Sequence, residues 1–425
     1  MRAKSEQRII ELAINSRHAS LLFLSLSWLF LPVVLWLALV LIYSTSEIGK
    51  KPKNILPFLV SFSLALLISS RMIGFLWGGS DDMPTYLMAY ERYEEFSSMM
   101  TTSLLYGQHA DFLFALFSWS TAKITNNHLF VYYLVTLLFT YALIWRFCKI
   151  VNVAYPLLCF LLIVLFYKFF QAQWHLIRAC MAIPIILIGI WISKEQFRKG
   201  LLIFIIGGLF HFSTMVLLLP LFLLNKRLSK KYTISQLLGL FLVFLTGVAL
   251  FIVSIKVVGS VVNHYMINKV LTRLVIEPNF SKLPSLLLFV VFTLLCSPAY
   301  YRSKSKDQIT LFNISIYFCA IGVVALFFIG EELHRIILPL HLLYAPLLIH
   351  SLGVYSPSSL TSIFTIAIKS FVILAFSYVV YLNESDFFYK VERFHPLSLN
   401  GYTYLKQLNH YVEEDLQYYD GYRIK

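Results

Sequence analysis

Charge is what this sequence has least of. Asp, Glu, Lys and Arg make up 13% of its 425 residues, about half of the ~25% usual in soluble domains. A water-facing surface cannot be built from that inventory, so a soluble two-domain protein of this length is excluded. Cysteine is also scarce. Cys148, Cys159, Cys180, Cys296 and Cys319 lie in or beside apolar runs, form no C-x-x-C pair and are odd in number. That pattern predicts neither a disulfide framework nor a zinc site. No P-loop, G-x-G-x-x-G, H-E-x-x-H or G-x-S-x-G occurs, so ATP-driven transport and zinc proteolysis lose support. Asp81-Asp82 is not a D-x-D element, and no metal or other cofactor is expected.

What the chain has instead is apolar length. Hydrophobic residues make up 59% and the mean hydropathy is +0.75. Apolar runs occupy 20–43, 56–77, 129–146, 153–170, 178–193, 200–223, 236–258, 284–300, 309–329, 333–351 and 360–382. Each is long enough, or nearly so, to cross ~30 Å of hydrocarbon as a helix. A further run, 109–124, is short and mixed, with Asp111, Ser118, Trp119, Ser120 and Thr121; it reads as a re-entrant or interfacial helix. The expectation is an all-α, polytopic transmembrane helical bundle with about ten to twelve spans. The first run is too long for a signal-peptide core and lacks a small-residue cleavage site. Before it, residues 1–19, with Arg2, Lys4, Arg8 and Arg17, read as an interfacial amphipathic segment or a frayed tail.

The 35 Lys and Arg exceed the 21 Asp and Glu, a net charge of +14. In a soluble protein that excess would raise the question of nucleic acid. Here it sits mostly in five short loops: Lys50 to Lys53, Arg146 with Lys149, Lys194 to Lys199, Lys226 to Lys231, and Arg302 to Lys306. The positive-inside rule places such loops in the cytoplasm, so no nucleic acid is expected. The loop 78–108, with Asp81, Asp82, Glu91, Glu94 and Glu95 against Arg92, belongs outside, as do 259–283 and a Tyr-rich tail, 383–425. The remainder, 20–382, is one transmembrane unit. The run 200–223 breaks the alternation because both its flanks are basic. Its centre, Gly207 to Ser213, carries two glycines and a histidine, as a broken or re-entrant helix would. A plain span with one loop misplaced is the alternative.

Charges at membrane helix ends are costly, so each is a candidate functional residue. They converge on the outer side: Arg71, Asp81, Asp82, Arg178 after the turn Gln171 to His175, Arg273 with Glu277, and Glu331, Glu332, His334 and Arg335. Each also has a structural alternative. Arg178 could snorkel to headgroups. Arg335 could pair only with Glu331 or Glu332. Asp81-Asp82 could cap a helix, and His211 could bond between helices. Taken together, arginines and carboxylates on one face suit an anionic substrate. Arginine presents a fixed fork of donors to phosphate and stabilises charge on a departing pyrophosphate. A carboxylate or histidine can take a proton from a sugar hydroxyl.

The order of these features resembles the EpsG-like branch of the Wzy polysaccharide polymerases. The resemblance rests on Arg71 and "GGSDDMPTYLMAY" with Gly79, Asp81 and Tyr86; on "HADFLFALFS" with Asp111 where glutamate is more usual; on "QAQWHLIRACMAIP" with Gln173 and Arg178-Ala179; on "GGLFHFSTMVLLLP" with His211 and Ser213; and on "EELHRIILPL" with His334 and Arg335. It covers about positions 70 to 350. Arg71 and Asp81 stand further apart than in the family. The resemblance implies a GT-C-like glycosyltransferase in the bacterial inner membrane with its active site facing the periplasm. Such enzymes transfer a growing glycan from undecaprenyl pyrophosphate to the sugar of a new undecaprenyl-pyrophosphate-linked repeat unit, as in O-antigen synthesis. It implies pyrophosphate contacts at Arg178 and Arg335, with His211 or an outer carboxylate as base. With the outer-face cluster, the expected catalytic residues are His211, Asp81, Asp82 and Glu332, and the expected pyrophosphate or glycan contacts are Arg178, Arg335, Arg71, Arg273, Tyr86, Asp111, Gln173 and His334. Partners would be the two lipid-linked oligosaccharides, membrane lipid and a chain-length regulator protein. The competing readings are an O-antigen ligase or polyprenyl-phosphate-dependent glycosyltransferase, and a lipid-linked oligosaccharide flippase or transporter.

Overall fold

The computed structural model describes residues 18–69, 83–233, 283–328, 333–354, 359–382 and 399–413, with scattered positions between 235 and 257. Among these residues there are helices and no strands. Besides the single turn Glu47–Lys50, they are in chain order α1 (His18–Phe30), α2 (Val33–Tyr43), α3 (Ile55–Ser69), α4 (Met83–Glu91), α5 (Met99–Leu105), α6 (Phe112–Thr125), α7 (Leu129–Ile150), α8 (Pro156–Val164), α9 (Tyr167–His175) and α10 (Ile177–Ser193). Then come α11 (Phe197–Phe210), α12 (Phe212–Leu223), α13 (Leu283–Leu295), α14 (Ser297–Arg302), α15 (Lys306–Phe328), α16 (Leu333–Ile336), α17 (Leu338–Val354), α18 (Ser359–Leu382) and α19 (Gly401–Glu413). The protein is an all-α polytopic membrane protein.

Five segments among the described residues are long and apolar enough to cross a membrane: Leu129–Ile150, Leu283–Arg302, Lys306–Leu326, Leu333–Gly353 and Thr361–Tyr378. A sixth is the pair α8 and α9, bent by 65°. Among the described residues, two further apolar runs, 20–43 and 200–223, are broken, and the breaks have physical causes. Pro32 lacks an N–H and cannot continue α1, so the run 20–43, expected as one span, is two helices. The Val33 N–H freed there is satisfied from elsewhere, donating to Leu399 O at 2.7 Å, and Trp36 Nε1 ties α2 back to α1 by donating to Leu24 O at 2.7 Å. At the α8–α9 bend the Tyr344 hydroxyl donates to Leu162 O. Without water in hydrocarbon, such partners are what make a broken helix tolerable.

The run 200–223 is a hairpin. His211 has an extended backbone, φ −160° and ψ 100°, which ends α11 and starts α12. The two arms fold together: Phe197, at the start of α11, meets Phe222, near the end of α12, with ring centroids 5.6 Å apart. Phe204 and Phe222 are 4.5 Å apart. Asn225 Nδ2 donates to Ser193 Oγ at 2.7 Å. Both basic flanks of this run therefore lie at one end of the bundle, which resolves the conflict in loop charge.

The other basic loops gather there too. Lys149 Nζ and Trp145 Nε1 donate to Asn54 Oδ1 at 3.0 and 3.1 Å. His350 lies 3.3 Å from Val151 O. Lys194 pairs with Asp307 at 3.4 Å, Lys231 Nζ donates to Tyr301 O at 2.8 Å, and Asn313 Nδ2 donates to Leu228 O at 2.7 Å. The residues 1–17, the segment 259–282 and most of the tail lie outside the described residues. Within the tail, α19 is capped by Asn400, whose Oδ1 accepts Thr403 N–H at 2.9 Å. Its Gly401 lies against Trp28, where a Cβ would come within 2.5 Å of the indole.

Candidate active site

The cluster forms at the end of α10 and α11 opposite the basic loops. α10 carries Arg178 in its first turn, and α11 delivers His211 at its end. The two helices approach through glycines. A Cβ on Gly189 would sit 2.7 Å from Phe204 N, and one on Gly207 2.5 Å from Ile186 Cγ1. Close approach of backbones through small residues is how membrane helices pack without a hydrophobic driving force. It fixes Arg178 and His211 on neighbouring helices.

Arg178 is the hub. Its Nε donates to the Tyr86 hydroxyl of α4 at 2.8 Å, and its Nη1 donates to Asp111 Oδ2, forming an ion pair. The pair is largely withdrawn from solvent. Asp111 stands at the N-cap position of α6, yet its side chain makes no capping bond there. Its second oxygen, Oδ1, instead accepts the N–H of Phe212 at 3.0 Å. Phe212 is the first residue of α12, so the carboxylate sits on the positive end of another helix. Arg178 and a helix N-terminus thus converge on one anion, supplied by the protein itself.

Two histidines flank this pair. His211 Nδ1 lies 2.6 Å from Thr214 Oγ1, and the charges of Arg178 and Arg335 act on its ring. His109 is buried in the turn between α5 and α6. It packs against Tyr86 at 5.8 Å and Phe114 at 5.2 Å, and its Nδ1 is buried with no hydrogen-bond partner among the described residues. Burial, and next the charge of Arg178, push its pKa down to about 3, so the ring is neutral at physiological pH. The turn holding it is strained: Gln108 has a positive φ of 52°, uncommon for a residue with a side chain.

Of the residues singled out in the sequence, Tyr86, Asp111, Arg178 and His211 come together, and Arg335 lies within electrostatic reach of His211. His334 shares a turn with Arg335 and lies within electrostatic reach of buried His341. Gln173 does not join them. It is fully buried, donates weakly to Phe169 O at 3.4 Å and lies beside the Tyr141 hydroxyl; the amide serves the helix interior. Arg71, Asp81, Asp82, Arg273 and Glu332 lie outside the described residues, as does the suggested pairing of Arg335 with Glu331 or Glu332. His109 was not expected. Its only signal in the sequence is its place two residues before Asp111.

The arrangement can do three things chemically. It can hold an anion between guanidinium and helix N-terminus, offer imidazole groups for proton transfer, and exclude water with the packed rings of Tyr86 and Phe114. The EpsG family model matches residues 54–392, most of the chain. No curated protein and no solved structure matches it. The chain belongs to the EpsG family, whose members are Wzy-type polymerases, and at that level it is a membrane polysaccharide polymerase.

Proposed function

We propose that this EpsG-family chain polymerises lipid-linked repeat units on the outer face of the bacterial inner membrane, transferring a growing glycan from undecaprenyl pyrophosphate to the non-reducing end of a new undecaprenyl-pyrophosphate-linked unit. The observation that carries the reading is the convergence of Arg178 and the α12 N-terminus on Asp111, at the end of the bundle away from the five basic loops, with Arg335 in electrostatic reach of His211 beside them. If those loops face the cytoplasm, this end faces the periplasm, where flipped repeat units arrive.

In this reading the acceptor hydroxyl attacks the anomeric carbon of the donor. The bond to the pyrophosphate oxygen breaks, and its electron pair leaves with the phosphate. Arg178 and Arg335 hold the pyrophosphate and stabilise the charge growing on it. A proton must leave the attacking hydroxyl; His211 and the outer carboxylates Asp81, Asp82 and Glu332 are the candidates to receive it. Arg71, Arg273, His334 and Tyr86 are assigned to the phosphates and glycan, and a chain-length regulator is a proposed partner.

Cells carrying only an Arg178→Ala or Arg335→Ala variant test this. The expected result is loss of long surface glycan with accumulation of lipid bearing a single repeat unit. Normal glycan length and amount would remove both arginines from the mechanism.

A further inference from the structure

The anion site is already filled by a side chain. Asp111 places one negative charge where Arg178 Nη1 and Phe212 N–H converge. It gives up the cap of its own helix to do so. A ligand phosphate that takes those donors must expel the carboxylate, which then stays nearby, largely buried and without its counter-ion. That is costly unless the newcomer brings more than it displaces. A phosphodiester brings one charge, so the exchange is like for like and adds repulsion from the freed carboxylate. A diphosphate diester brings two, and its second phosphate can engage Arg335, whose charge already reaches His211 beside the site.

We propose that Asp111 is a specificity-determining residue, an internal counter-ion that makes this site select prenyl diphosphate diesters over prenyl phosphodiesters. The inference rests on the lipid-linked reading above and adds a repulsive element to it, the usual way in which a site rejects a near-identical ligand. It also assigns a reason for a carboxylate to persist in the centre of a site meant for anions. Asp111 acts here through Arg178 and Phe212, without contributing to the bond that forms.

The test uses the full-length protein in detergent and a matched pair of synthetic lipids. Farnesyl methyl phosphate carries one negative charge; farnesyl methyl diphosphate carries two. Wild type should bind the diphosphate at least about tenfold more tightly. Asp111→Asn keeps the shape and removes the charge. It should raise phosphodiester affinity and narrow the ratio to about threefold or less. Asp111→Glu should keep the wild-type preference. If Asn weakens both lipids equally, or leaves the ratio unchanged, Asp111 is a structural tether and the proposal falls while the polymerase reading stands. If wild type binds neither lipid, both fall. If the Asn variant does not fold, the Glu variant decides alone: a lost preference overturns the proposal and a retained one supports it.

Discussion

Gly207→Ala separates the geometry of the site from the stability of the bundle. The new Cβ would lie 2.5 Å from Ile186 Cγ1, 3.0 Å from Ile186 N and 3.3 Å from Ala182 O. Ordinary contact needs about 3.5–4 Å, so α10 and α11 must part by roughly 1 Å there. Ile186 is fully buried and cannot swing aside cheaply. Overpacking of this kind costs about 1–3 kcal/mol, while alanine for glycine inside a helix returns about 1 kcal/mol. The net loss of stability is therefore small, about 0–2 kcal/mol. The catalytic loss is larger. Gly207 is one turn from His211, and a misplacement of ~1 Å between reacting groups can cost on the order of 100-fold. The measurement is polymer formed per folded molecule, with folding checked by gel filtration and thermal unfolding in detergent. Gly353→Ala is the control, because nothing lies within 4 Å of its Cβ position. Polymer yield and unfolding temperature both at wild-type values in Gly207→Ala would refute the claim that this contact sets the site.

Three further outcomes follow from the same structure. Cysteines placed singly at Arg198 and Lys226 should react with a membrane-impermeant thiol reagent from the same side of the membrane, and one at Gln108 from the other; labelling of Arg198→Cys and Lys226→Cys from opposite sides would dissolve the α11–α12 hairpin. Tyr86→Phe removes the acceptor of Arg178 Nε but keeps the ring, so activity should drop roughly tenfold, as for one hydrogen bond to a charged group, with the fold intact by gel filtration. His109 has a folded-state pKa pushed down to about 3 from an ordinary 6.5, so the unfolded state binds the extra proton between those values. The stability it supports is present above pH 6.5 and falls as pH drops, by about 2 kcal/mol at pH 5; His109→Gln should flatten that part of the thermal-unfolding profile, and an unchanged slope would show that the ring titrates alike in the folded and unfolded protein.

The all-α membrane architecture was legible in apolar length and scarce charge, because both follow from composition. The break at His211 was legible too, because its flanking loops carried the wrong charge for a single crossing and its centre held Gly207 and Gly208. Other breaks were less visible. Pro32 stood in plain sight within the run 20–43, but hydropathy averages over a proline. The α8–α9 bend depends on Tyr344, 182 residues from its acceptor Leu162. The candidate site was readable as a set of residue types and not as a set of contacts. Asp111 reads locally as a helix cap, and only tertiary structure turns it toward Phe212, 101 positions away. His109 was missed because its burial under Tyr86 and Phe114 leaves no trace in local sequence. Gln173 was drawn in by its place before Arg178, yet its turn of helix faces Tyr141.

Whether the proposed polymerase joins lipid-linked repeat units by itself at the Arg178 site is measured directly with purified protein supplied with only an undecaprenyl-pyrophosphate-linked repeat unit, in detergent and without lipid A–core. Wild type should make a ladder of glycans differing by one repeat, and Arg178→Ala should lose it. A single unextended band from folded wild-type protein, or an undiminished ladder from Arg178→Ala, would contradict the proposal.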